Sequence, residues 1–190
     1  MDFYTVTVPP VELPITRDEA KSYMKVTMTQ DDTLIDSLIQ AATTELERYT
    51  NRIFIERTFL GEYDAIEFSK FEVEGFVEIR RSPLGSITSI EVIQGGSGVA
   101  VTGTVEKDNF SYARVLFDDP LPSYDNDVAR PLQIVFTAGY GAATDVPDED
   151  KLAIMKLVNF HYRNRGDCAA QCEGPGTIFK SVKRIIGTFG

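Results

Sequence analysis

The sequence predicts an α+β fold: a small helical bundle of two N-terminal helices and one C-terminal helix, an antiparallel β-rich subdomain inserted between them, and an extended C-terminal tail. Three observations carry that expectation. Residues 34–49 repeat apolar side chains at spacings of three and four. From Ile53 to about Thr137 the composition turns to Val, Ile, Phe, Tyr and Thr, broken by Gly and Pro. A helical pattern then returns after Pro147 and gives way to a Gly-containing stretch at 166–177. The 190 residues suit one domain with its own core. We therefore expect a single domain over residues 1–174, with helices at about 16–51 and 147–165 around an insert at about 53–141, and a separate tail over 175–190.

Taken in order, the first dozen residues, with Pro9 and Pro10 and Pro14 just beyond, read as an extended arm. Thr16-Arg17-Asp18-Glu19 has the form of a capping box, in which the Thr16 hydroxyl and the Glu19 carboxylate each bond the other's backbone amide. A short helix follows, with Ala20, Tyr23 and Met24 on one face. Asp31 and Asp32 stand at the positive end of the next helix. Leu34, Ile35, Leu38, Ile39, Ala42, Leu46 and Tyr49 define its apolar face, and it should run to about Asn51.

Within the insert, strands are expected around Val77–Arg80, Ile90–Ile93, Val99–Thr102, Arg114–Phe117 and Leu132–Thr137. Gly95-Gly96-Ser97-Gly98 suits a hairpin turn, because glycine reaches positive φ without a Cβ clash. Pro147 fits a first helical turn, followed by Asp148, Glu149 and Asp150 at the positive end. Leu152–Tyr162 is apolar on nearly every side, so this helix should be buried against the first two. Arg163 and Arg165 sit at its negative end, with Gly166 as its terminator.

Charge narrows the function. The net charge is −10, from 29 acidic and 19 basic residues. A phosphate backbone is bound by neutralising it with Lys and Arg, so this balance opposes nucleic-acid binding while permitting a wall that DNA slides past. From Arg163 onward, five basic residues face two acidic ones, a net of +3 that leaves −13 for the remainder. No apolar run reaches the roughly 18–20 residues of a membrane helix. The first residues lack the basic and apolar regions of a signal peptide, so a cytoplasmic protein is expected.

Residue chemistry offers no catalytic or metal constellation. His161 is the single histidine, near the end of a helix, while Cys168 and Cys172 lie in the Gly-containing stretch. Those three groups fall short of the four ligands of a structural zinc site, and two cysteines make no disulfide framework. Gly95–Gly98 lacks the Lys-Ser/Thr ending of a phosphate loop. Asp118-Asp119 to Asp127 lacks the alternating ligands of a calcium loop. No catalytic residue, metal ligand or cofactor is expected.

Four segments, in order, resemble the phage head–tail connector (adaptor) family, specifically its larger members with a β-rich insert. Pro14–Val26 is similar to the family's opening, a Pro and Thr capping a helix that ends in a basic residue and Val. Asp31–Ala42, continuing through Glu45, Glu47 and Tyr49-Thr50-Asn51-Arg52, resembles its acidic helix start and its Thr-Gly-Arg-like exit, with Asn51 where Gly is usual. Phe136-Thr137-Ala138-Gly139-Tyr140-Gly141 and Val146-Pro147 are like its strand, glycine turn and Pro-started helix. Phe160–Arg165 resembles its aromatic-then-Arg helix end, and Pro83-Leu84, Ile87 and Ile90-Glu91-Val92 fit the β insert.

The resemblance implies a virion structural protein assembled in the host cytoplasm. It implies a homo-oligomeric ring of about twelve subunits in the neck, docked on the portal ring, with DNA passing through its lumen. It also implies a platform for the next neck or tail-completion protein, without catalysis, cofactor or membrane. Two other readings stay open: another neck or tail-completion ring protein, and a small-ligand-binding or enzymatic α+β module. The portal-binding residues are expected in the tail: Ile178, Phe179, Lys180, Val182, Lys183, Arg184, Ile185 and Ile186. They mix apolar anchors with basic residues beyond Gly174-Pro175-Gly176, and such a segment is a liability unless a partner covers it.

Overall fold

The computed structural model describes residues 3–107, 113–124 and 127–165. It has the expected α+β architecture, with antiparallel sheets of five and three strands that lie in sequence between helices except for one N-terminal strand. Contacts divide it into two compact units. One is helical, formed by Val11–Thr50 and the described residues from Gly141. The other is β-rich, formed by Asn51–Tyr140 and the described residues of the first ten.

In the helical unit, α1 (Arg17–Met24) begins at the predicted capping box. Thr16 Oγ1 accepts from the Glu19 amide at 3.2 Å, and a Glu19 carboxylate oxygen accepts from the Thr16 amide at 2.6 Å. Those bonds hold the Glu19 carboxyl below its usual pKa. Ala20 and Met24 are buried, but Tyr23 is exposed, so the inward face is narrower than the sequence suggests.

The long helix, α2 (Asp32–Thr50), ends one residue before the predicted limit, at Asn51, whose φ of 55° is left-handed. Its buried stripe is Ile35, Ile39, Ala42, Thr43, Leu46 and Glu47. Leu34 and Leu38 are only half-buried and Tyr49 is exposed, which corrects the predicted face by a fraction of a turn. Thr43 is accommodated because its hydroxyl donates to the Ile39 carbonyl at 2.7 Å.

The last helix of this unit, called α4 below because one helix intervenes in the chain, spans Asp148–Arg163. Pro147 precedes it at the cap position rather than inside its first turn, and Asn164 caps its other end; Gly166, the predicted stop, lies outside the described residues. Only Asp150, Ala153, Ile154, Leu157 and Val158 are buried, so one stripe rather than the whole circumference faces α1 and α2.

The β-rich unit supplies the intervening helix and eight strands. The larger sheet has the order β1-β2-β8-β4-β5, with β1 Phe3–Val8, β2 Arg57–Tyr63, β4 Leu84–Gln94, β5 Ser97–Ala100 and β8 Leu132–Ala138. The smaller has the order β3-β7-β6, with β3 Phe76–Glu78, β6 Gly103–Lys107 and β7 Ala113–Phe117. Strand β8 buries Leu132, Ile134, Phe136 and Ala138 at every second position, the period that sends alternate side chains to one face. Together with Phe59, Tyr63, Val92, Val77 and Val115 they form one core cluster. The β4–β5 hairpin turns at Gly95 and Gly96, both at positive φ (60° and 75°), as the glycine run predicts.

Three features of this unit differ from the sequence-based expectation. The N-terminal arm is a strand: Tyr4 lies opposite Gly61 in β2, and its ring packs edge-on to Phe136 at 5.9 Å. Gly61 leaves room for that ring, since a Cβ there would sit 3.2 Å from it. Helix α3 (Ala65–Glu74) interrupts the strands, capped by Asp64, which accepts from the Glu67 amide at 3.0 Å, and ended by Gly75 at φ 75°. Strands β2 and β6 also escaped the sequence pattern. Gly139 has a requirement of its own: at φ 134° a Cβ would lie 2.5 Å from the Glu56 backbone.

Candidate partner-binding surfaces

The tail residues predicted to bind a partner, Ile178, Phe179, Lys180, Val182, Lys183, Arg184, Ile185 and Ile186, lie outside the described residues, as do Cys168 and Cys172. The described residues end just past the last turn of α4, which is tied to α2. Tyr162 donates its hydroxyl proton to an Asp31 carboxylate oxygen at 2.6 Å, at the N-terminal end of α2. Arg165 reaches the same carboxylate at 3.3 Å and lies over the Tyr162 ring at 4.1 Å. The Tyr162 bond, then Arg165, holds the Asp31 carboxyl below its ordinary pKa, and the same bond raises the Tyr162 phenol. One residue earlier on α4, His161 Nε2 lies 3.0 Å from a Glu45 oxygen. The end of α4 is thus fastened to α2 at two points, through Tyr162 and through His161.

The same N-terminal end of α2 is also tied by charge to α1. Arg17 bonds Asp36 through two guanidinium nitrogens and reaches Asp32 at 3.3 Å, while Lys21 meets Asp32 at 2.7 Å. These are charge-assisted bonds between α1 and α2, and the Arg17 bond holds the Asp36 carboxyl below its usual range.

Among the described residues, shallow grooves occur within each unit. One, of about 430 Å³, runs along the outer face of α2 between Ser37, Gln40, Ala41, Thr44, Glu45 and Arg48. The other, of about 320 Å³, lies beside α3 and β3, with Glu67, Glu74, Glu78, Lys70 and Arg80 at its rim. In the second, Lys70 meets a Glu67 carboxylate oxygen at 3.0 Å as a surface ion pair. Among the described residues no cluster of three His, Cys, Asp or Glu side chains could hold a metal ion, and no helix is long and apolar enough to cross a membrane.

Exposed apolar side chains mark further surface that the sequence reading missed. Ile66 and Val73, one heptad apart on α3, are 71% and 88% exposed. On β1, Phe3 and Val6 are 50% and 42% exposed. The available signals were local. Asp64-x-x-Glu67 with Gly75 marks a helix start and stop, and Phe-Tyr-Thr-Val-Thr-Val is a run of strand formers.

Residues 14–187 match the model of a family described as head completion protein (HCP). No curated protein matches the chain. Among solved structures, the fold is similar to a chain from the virion of a native gene transfer agent (GTA) particle: TM-score 0.75, 18% identity, 99% of this chain and 97% of that one covered. A chain from the neck of an empty GTA particle computed with C6 symmetry gives TM-score 0.73 at 18% identity, covering 100% and 97%. One from the neck of a native GTA particle computed with C12 symmetry gives 0.71 at 20%, again covering 100% and 97%.

Proposed function

This chain belongs to the head completion protein family, and from that premise we propose that it is a structural subunit of a virion neck, one copy of a twelvefold ring joining the portal to the tail. The observation that carries the reading is agreement along the whole chain with the fold of chains from GTA necks, one computed with C12 symmetry. The DNA passes through the ring lumen, whose wall is built from a chain of net charge −10 and does not hold a phosphate backbone. The next neck or tail-completion protein docks on the opposite side of the ring from the portal.

Attachment to the portal belongs to the tail. The end of α4 is fixed to α2 through Tyr162 and Arg165, and the family match extends to residue 187, through every predicted contact residue. Fourteen residues from Thr177 to Gly190 reach roughly 45 Å when extended, enough to contact a neighbouring ring. Ile178, Phe179, Val182, Ile185 and Ile186 supply apolar anchors, and Lys180, Lys183 and Arg184 steer them.

Deleting residues 175–190 tests this assignment. The expected outcome is an unchanged circular dichroism spectrum and melting temperature, with capture by portal particles abolished. A truncated chain that unfolds, or one still captured normally, contradicts it.

A further inference from the structure

An open sheet ends in two strands whose outer backbone groups have no partner strand, and proteins usually blunt such edges with charge, proline or short length. Among the described residues, those strands in the five-stranded sheet are β1 and β5. Neither carries a charged residue or a proline: β1 reads Phe-Tyr-Thr-Val-Thr-Val and β5 reads Ser-Gly-Val-Ala. Two of the three interior strands do carry charges, Arg57 and Glu62 on β2 and Glu91 on β4. Two protective devices are present: β5 is short, and an irregularity in register between Val6 and Val8 leaves Phe3–Val6 as the regular part of β1. That is four residues, the length of β5.

The two edges also match in sidedness and direction. Val6 pairs with buried Phe59, and Val99 pairs with buried Val92, so both valines lie on the core face of the sheet. They are left 42% and 37% exposed where the core layer runs out. Four antiparallel steps separate β1 from β5, so the two strands point the same way.

We infer that the β5 edge of one copy pairs in parallel with the β1 edge of the next, continuing the sheet around the ring and covering Val99 with Val6. The pairing rests on the ring proposed above. It joins two different surfaces, and such head-to-tail contacts close into rings, whereas β1 against β1 about a two-fold axis would be antiparallel and stop at a dimer. Twelve five-stranded sheets, at about 4.8 Å per strand and with strands along the axis, close at a diameter of about 90 Å.

The test is crosslinking in assembled necks isolated from particles, using a chain with Cys168 and Cys172 changed to Ser and carrying Val6→Cys and Val99→Cys. A short bis-maleimide is used, because a slip of two residues shifts the pair by only about 7 Å. The expected result is a ladder of dimers, trimers and higher species up to the whole ring, requiring both cysteines. A complementary variant, Val99→Lys, places a charge on the edge and should leave the melting temperature of the isolated chain unchanged while preventing its incorporation into necks. Necks that hold a ring of this chain but give no ladder, or that incorporate Val99→Lys normally, overturn the edge pairing and leave the ring intact. Dimers from Val6→Cys alone indicate two-fold pairing and also overturn it. Necks without any ring of this chain overturn the ring itself, and this inference with it.

Discussion

Leu38 and Ile39 are neighbours in sequence, and the roughly 100° of rotation between them decides which one the fold depends on. Ile39 is buried within the helical unit, on the stripe shared with Ile35, Ala42 and Leu46, whereas Leu38 stands half-exposed beside it. Ile39→Ala should therefore cost about 2–5 kcal/mol, through lost burial and the cavity left behind. Leu38→Ala should cost only about 1–2 kcal/mol. Chemical denaturation of the two variants checks the order, and equal losses would contradict the assigned face. The periodicity alone did not resolve this, because both residues belong to apolar pairs with the same spacing. Thr43 and Glu47, which read as polar positions, complete the buried stripe. Gly139 shows the opposite case: the motif around it was recognisable, but its reason, the Glu56 backbone 2.5 Å from a would-be Cβ, exists only in three dimensions.

At the scale of elements, the fastening of α4 to α2 makes a pH-dependent prediction. The Tyr162 hydroxyl, with Arg165, holds the Asp31 pKa below its unfolded value. A carboxyl lowered in this way adds stability that is present above its unfolded pKa, about 3.9, and lost as pH falls through the folded value. Tyr162→Phe removes the largest cause, so stability should fall near neutral pH, and the drop between neutral and acid pH should be smaller than in the wild type. Melting temperatures between pH 2 and 7 would show it, and an acid limb identical to wild type would contradict the coupling. Elements with long or strongly marked patterns were legible: the capping box of α1, the length of α2, the glycine hairpin and the alternation of β8. Helix α3 was not, because ten residues containing Phe68, Phe71 and Val73 were absorbed into a long stretch of strand formers. Strand β1 was read as an arm because the prolines that follow it hid its pairing with β2, which tertiary contacts supply through Tyr4 and Gly61.

For the whole molecule, charge and family membership bear on one account. A chain of net charge −10 cannot gain affinity by releasing counterions from DNA, so duplex binding at physiological salt should be weaker than about micromolar. Fluorescence anisotropy measures it, and submicromolar binding would contradict a passive lumen wall. The four segments that resembled head–tail connectors agree with a family match over residues 14–187, so family and fold were readable from motif order along the chain. Assembly surfaces were less readable, because an edge strand or a half-exposed valine acquires meaning only from the sheet around it. The most direct measurement of the central claim is cryo-electron microscopy of the purified chain mixed with its portal. The account predicts a ring of twelve copies seated on the portal with an open lumen; a portal left bare, or one carrying scattered single copies without a ring, would contradict it.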